Sequence, residues 1–147
     1  MHPIHPILVH FPIALLTASV IFDMLALRWR PDSFRDTSFY TLIGGVGGAI
    51  LSVISGNIEK ESLKQSFLLD EVLQQHEVLG IATLWIFIGL LVIRLLMRRG
   101  KLKESPAVYL TLGAFGIVVL TVAGYFGGSL VYEFGAGVTI SSKSMMP

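Results

Sequence analysis

Residues 76–101 read HEVLGIATLWIFIGLLVIRLLMRRGK, about twenty apolar positions holding the single charge Arg94 and then stopping at Arg98-Arg99-Gly100-Lys101. A helix of that length crosses a hydrocarbon core of roughly 30 Å. Three further stretches have the same character: Ile7 to Leu27, Phe39 to Gly56, and Ala107 to Tyr132. They dominate a chain of 147 residues that is 53% hydrophobic and 14% charged. That composition excludes an ordinary soluble domain, in which about 25% of residues are charged. It excludes intrinsic disorder too, because apolar residues are too many and net charge too small. The absence of cysteine removes disulfides, cysteine-ligated clusters and zinc sites, and covalent c-type haem attachment. A net charge of +1 offers no footprint for nucleic acid.

The four segments predict an all-α integral membrane protein, an up-down four-helix bundle of one domain over residues 1–147. Span one opens after Pro6 and closes at Arg28-Trp29-Arg30-Pro31; span three begins near His76 or Glu77 and ends at Met97; span four follows Pro106. Arg28, Arg30 and Arg35 lie between spans one and two, and Arg98, Arg99, Lys101 and Lys103 between spans three and four. The loop over 57–75 balances Lys60 and Lys64 against Glu59, Glu61, Asp70 and Glu71. Basic residues stay on the cytoplasmic side, so both termini are expected outside, at the periplasmic face of a bacterial inner membrane. With no basic residues ahead of it, the first span reads as a retained anchor rather than a cleaved signal peptide. Leu63, Phe67 and Val72 have the spacing of a short amphipathic helix on the membrane surface. The Ser141-Ser142-Lys143-Ser144 stretch reads as a tail.

All four histidines, His2, His5, His10 and His76, fall on the expected outer side. Ionisable groups at membrane depth are costly and mark functional positions by default. His10, one turn inside span one, and His76, at the start of span three, therefore stand out. His2 and His5 read as terminal residues without a role. Small residues form stripes at four-residue spacing: Gly44, Gly48, Ser52 and Gly56 on span two, and Gly116, Gly124 and Gly128 around Leu120 on span four. Such stripes let membrane helices pack backbone to backbone. At the outer ends, Gly56, Gly80, Gly127 and Gly128 gather near two imidazoles from different helices. Two imidazoles on opposing membrane helices are a common way to hold b-type haem. The leading expectation is thus a small electron-transfer protein with haem ligated by His10 and His76 and given clearance by Gly56, Gly80 and Gly128. A quinol or redox protein would be its partner. Histidines that cap helix ends or bond to carbonyls in a cofactor-free subunit of a larger complex remain an alternative. A further one is a non-haem metal site built from His5, His10, His76 and Glu133.

Other polar residues have simpler readings. Asp23 near the basic end is within reach of Arg28 or Arg94 and predicts a snorkelling ion pair rather than a proton relay. Glu59 and Glu77 read as wet carboxylates, and Trp29, Trp85, Tyr40 and Tyr125 as anchors or packing groups. Met145 and Met146 are soft ligands on the tail. Gly44-Gly45-Val46-Gly47-Gly48 sits inside an apolar span, which excludes a phosphate loop, and no catalytic motif is present. Neither an inverted repeat nor a proline-interrupted helix pair points to transport.

The two ends of the chain carry longer motifs. His5-Pro6-Ile7-Leu8-Val9-His10-Phe11-Pro12-Ile13-Ala14-Leu15 resembles the H-P-x-x-V-H-F-P-x-A-L opening of the bacterial family known as domain of unknown function 2231. Gly127-Gly128-Ser129-Leu130-Val131-Tyr132-Glu133-Phe134-Gly135-Ala136-Gly137-Val138 resembles its closing G-G-x-L-V-Y-x-x-G-x-G-V motif. Asp23, Ser55-Gly56 and His76 match in order between them; Glu59 departs, standing where the family has aspartate. The resemblance implies a four-span membrane fold and marks His5, His10, Asp23, Gly56, His76, Gly128, Tyr132, Gly135 and Gly137. Relatives joined to Rieske or cytochrome components imply a redox setting, by association alone.

Overall fold

The computed structural model describes residues 4–29, 31–60 and 67–136, and every regular element among them is helical. Helix α1 is His5–Leu8, α2 His10–Ala26, α3 Pro31–Glu59, α4 Phe67–Arg98 and α5 Pro106–Tyr132. Four stretches are long and apolar enough to cross a membrane: His5–Ala26, Asp32–Glu59, Leu69–Arg98 and Pro106–Tyr132. The stretch expected as a separate surface helix instead begins α4, which starts at Phe67 and runs unbroken through His76. Residues 61–66 of that loop, His2, Gly137, Met145, Met146 and the serine-rich tail lie outside the described residues.

Local chemistry sets the helix ends. Pro31 and Pro106 open α3 and α5 at the first-turn position where a missing N–H costs nothing. Gly100, at φ +67°, closes α4, and its N–H donates to the Met97 carbonyl at 2.9 Å. Gly135, at φ +65°, does the same after α5, where the Ala136 N–H reaches back to the Leu130 carbonyl at 2.8 Å. A side chain at either position would be strained in this left-handed conformation. Helix α1 passes into α2 through Val9, opposite Pro12, which has no N–H for the Leu8 carbonyl.

Helices α2 and α3 pack as one hairpin and α4 and α5 as another, and each hairpin touches itself more than it touches the other. The core lies between them: Leu16, Leu42 and Phe87 are fully enclosed, with Val20, Val46, Leu90 and Tyr109 around them. About half of the other large apolar side chains, Trp85, Phe115 and Tyr125 included, are exposed, as the lipid-facing surface of a membrane bundle requires.

The hairpins are repeats of one another. In the first, Leu16 of α2 fills the space left by Gly45 of α3, where an added Cβ would lie 2.5 Å from Leu16 Cδ2. In the second, Phe87 of α4 fills the space left by Gly116 of α5, where a Cβ would lie 3.0 Å from the Phe87 ring. Ser19 and Ser38 meet in the first hairpin at 3.4 Å, and their counterparts Leu90 and Tyr109 are both buried in the second. Each counterpart follows at the same offset, the 71 residues that separate Asp23 from its ion-pair partner Arg94. Both hairpins run in the same sense, so an approximate two-fold axis along the bundle relates them, a parallel repeat rather than an inverted one.

Candidate functional site

A residue meets its own counterpart only on that axis, and one such meeting is between imidazoles. His5 is the first residue of α1, and its ring crosses to α3. There Nδ1 donates to the Ser52 carbonyl at 2.9 Å and lies 3.0 Å from Ser55 Oγ, which itself donates to the same carbonyl. Gly56 makes room, since a Cβ there would stand 3.1 Å from His5 Cε1. The segment is fixed by Glu59, whose Oε1 accepts the Ile4 N–H at 2.7 Å and the His5 N–H at 3.0 Å. His76 of α4 repeats the arrangement on α5. Its Nδ1 donates to the Ala123 carbonyl at 2.9 Å, and a Cβ on Gly127 would stand 3.0 Å from its Cε1. Each imidazole bonds a carbonyl 47 residues onward and rests on the glycine one turn later. The two rings face each other edge-to-face with centroids 6.0 Å apart.

Those carbonyl bonds determine the chemistry of the rings. A carbonyl oxygen only accepts, so Nδ1 carries the proton and, in the neutral ring, Nε2 keeps its lone pair. His10 is anchored the same way, with Nδ1 on the Pro6 carbonyl at 2.7 Å. All three imidazoles line one open cavity of about 490 Å³ between the hairpins at the end that carries the described N-terminal segment. Gly80, Gly124 and Gly128 line it as well, and a Cβ on any of them would touch nothing within 4 Å. Lys60 and Glu77 join across its wall at 2.8 Å.

The expected constellation is thereby rearranged. His76 is paired not with His10 but with His5, while His10 is exposed, its imidazole held by the Pro6 carbonyl of α1. Gly56 does not clear space for a ligand ring, because the His5 imidazole occupies its notch; Gly80 and Gly128 do face open space. Glu133 is exposed just beyond α5, and the lining takes Tyr132 and Ala136 around it instead. Among the described residues no three or more His, Cys, Asp or Glu side chains gather as a metal site, so His5, His10, His76 and Glu133 do not form the four-residue centre considered above. The pairing of His5 with His76, and the part played by the Ser52 and Ala123 carbonyls, become visible in the sequence only once it is laid against itself at the repeat offset.

Residues 1–140 match the model of a family described as "Predicted membrane protein (DUF2231)". The chain belongs to that family. No curated protein and no solved structure matches it significantly. In this DUF2231 protein the opposite end of the axis is built differently. Asp23 and Arg94 form an ion pair there, and the Arg94 guanidinium lies over the Tyr109 ring, 4.3 Å from its centroid. Their side chains are only 7% and 12% exposed, so the pair expected from the sequence is buried rather than snorkelled to the surface. Arg98 and Asp36 at 2.8 Å, with Arg35 and Glu104 at 3.3 Å, form more exposed pairs nearby.

Proposed function

We propose that this DUF2231 protein is a small membrane electron-transfer protein in which His5 and His76 would hold one b-type haem between the hairpins. The observation that carries the reading is the meeting of these two rings on the repeat axis. The His5 and His76 rings lie within 6.0 Å, centroid to centroid, and their Nδ1 protons are engaged on backbone carbonyls, which leaves Nε2 of each as the nitrogen that would take a metal. The adjoining cavity is of the size that holds small-molecule ligands, about 300–1,000 Å³, and three of its glycines leave it unobstructed.

Haem would supply one-electron redox chemistry. The chain's own contribution is orientation and tuning. Backbone carbonyls at Ser52 and Ala123 fix the ring rotations and select the tautomer. Basic residues on the opposite side would place the site at the outer face of a bacterial inner membrane, both termini outside, facing a quinol or a redox protein. His10, on the same cavity, would lie beside the group rather than ligate it.

The test is the visible spectrum of detergent-purified protein from haem-sufficient cells, before and after dithionite. A Soret band and a reduced α-band are expected in the wild type and in His10→Ala, and their loss in His5→Ala and in His76→Ala. Wild-type protein without these bands would sink the proposal; bands lost in His10→Ala but kept in His5→Ala would return the ligand role to His10. One observation favours a second reading, a cofactor-free subunit of a larger complex. Both imidazoles already tie helices together, α1 to α3 and α4 to α5. That reading expects a stable large partner on purification and tolerance of His76→Ala.

A further inference from the structure

Asp23 and Arg94 are counterparts, 71 residues apart, and they meet on the axis that relates the hairpins. Net stability is a weak explanation for such a pair. Buried ion pairs are often matched or exceeded in stability by apolar side chains of similar volume. This one also leaves Asp23 Oδ2 and Arg94 Nε without a hydrogen-bond partner. Its position says more. Three other ion pairs join the hairpins, Arg98–Asp36, Arg35–Glu104 and Lys60–Glu77, but all are more exposed. The counterpart sets that line the buried surface are uncharged side chains or imidazoles on both hairpins: Leu16 and Phe87, Ser19 and Leu90, Val20 and Leu91, His5 and His76. None of these would distinguish a hairpin of one kind from the other. Two first hairpins brought together would set Asp23 against Asp23; two second hairpins would set Arg94 against Arg94. Either arrangement buries like charges at membrane depth, where even one unpaired charge is costly. Only a first hairpin against a second is matched.

We propose that Asp23 and Arg94 are a pairing code, which makes the hairpin-to-hairpin surface accept only a hairpin carrying the opposite charge. The partner this surface fits is the complementary hairpin, from the same chain or from a second copy. Polar residues at single buried positions select partner and register in this way in coiled coils. The code stands apart from the haem proposal, because it concerns the other end of the axis.

Full-length chains test it. The swap Asp23→Arg with Arg94→Asp should remain monomeric in detergent, with a melting midpoint within a few degrees of the wild type. Each single change should lower that midpoint well below the swap's, or prevent accumulation. The decisive experiment co-expresses Asp23→Arg and Arg94→Asp chains carrying different affinity tags. One chain then has arginine on both hairpins and the other aspartate on both, so the code expects a one-to-one dimer with exchanged hairpins. The two tags should co-purify, with several-fold more protein than either chain gives alone, whereas two differently tagged wild-type chains should not. A swap no more stable than the single variants overturns the proposal. So do single variants that fold but stay apart when co-expressed, and so does co-expression that recovers neither chain.

Discussion

At one end of the repeat axis the hairpins present the same side chain to each other, His5 to His76; at the other they present opposite charges, Asp23 to Arg94. The difference separates an open end from a holding end. Two imidazoles whose Nδ1 protons are spent on backbone carbonyls have no hydrogen bond to give each other. A carboxylate and a guanidinium complete each other. Space follows the same division, with a cavity of about 490 Å³ at the histidine end and one of about 100 Å³ beside the ion pair at the other.

The largest expected effect breaks the holding end. Asp23→Leu or Arg94→Leu alone leaves the remaining charge buried and uncompensated, a loss of about 3–5 kcal/mol. Reversible unfolding in mixed micelles should show it. The double replacement Asp23→Leu with Arg94→Leu should be close to neutral, because it removes both charges together. A double variant as unstable as either single one would mean that the pair holds the bundle by more than charge balance.

The next effect compares the hairpins at matched positions. Gly45→Ala would drive a Cβ to 2.5 Å from Leu16 Cδ2 and 3.0 Å from the Leu16 backbone nitrogen. Backbone cannot yield as a side-chain tip does, so a loss of about 1–3 kcal/mol is expected. Gly116→Ala meets only side-chain atoms of Ile86 and Phe87, at 3.0 Å, and should cost less. Equal losses in the same unfolding assay would show that the two hairpins are packed equally tightly.

Much of this was readable in the sequence, and the reasons for the misses are specific. Four spans, the basic side and an Asp23 ion pair followed from hydropathy and charge, which do not depend on how a helix is rotated. Rotation is what paired His76 with His5 rather than His10. Periodicity fixes which residues share a helix face but not which way that face turns, and Val9 separates His5 from the helix on which His10 was placed. The repeat is faint in the sequence because its counterparts match in role and not in letter. Leucine answers phenylalanine at 16 and 87, serine answers alanine at 52 and 123, and aspartate answers arginine at 23 and 94. Only His5 with His76, Gly45 with Gly116 and Gly56 with Gly127 keep their identity among the positions that build the axis. A small-residue stripe also hides its purpose, since packing and clearance both require glycine. Gly48 touches Pro12, whereas Gly124 and Gly128 touch nothing.

A smaller effect sharpens the histidine end. Gly56→Ala and Gly127→Ala would each push a Cβ to about 3 Å from an imidazole held by one helix carbonyl. Neither contact involves backbone, so the ring yields and stability changes little. The carbonyl bond lengthens as the ring moves. Nitrogen-15 spectra of histidine-labelled protein should show the wild-type His5 and His76 with protonated Nδ1 and bare Nε2. Each variant should shift the tautomer signal of its own histidine and spare the other. Unchanged spectra would mean that the glycine notches do not set the rings.

The smallest effect on stability should carry the clearest functional one. Gly128 lines the cavity, and an added Cβ there meets nothing within 4 Å. Gly128→Ala therefore adds no clash, and relief of glycine's helix penalty, about 0.5–1 kcal/mol, leaves stability unchanged or slightly higher. Gly128→Leu places a larger side chain in the cavity, where a ligand would lie. If the cavity exists for a bound group, Gly128→Leu keeps the wild-type melting midpoint but loses the haem spectrum, and Gly128→Ala falls between. Were the glycine present for close helix packing instead, stability would fall along with any spectrum. The joint readout separates clearance from packing at a position where the sequence alone reads the same for both.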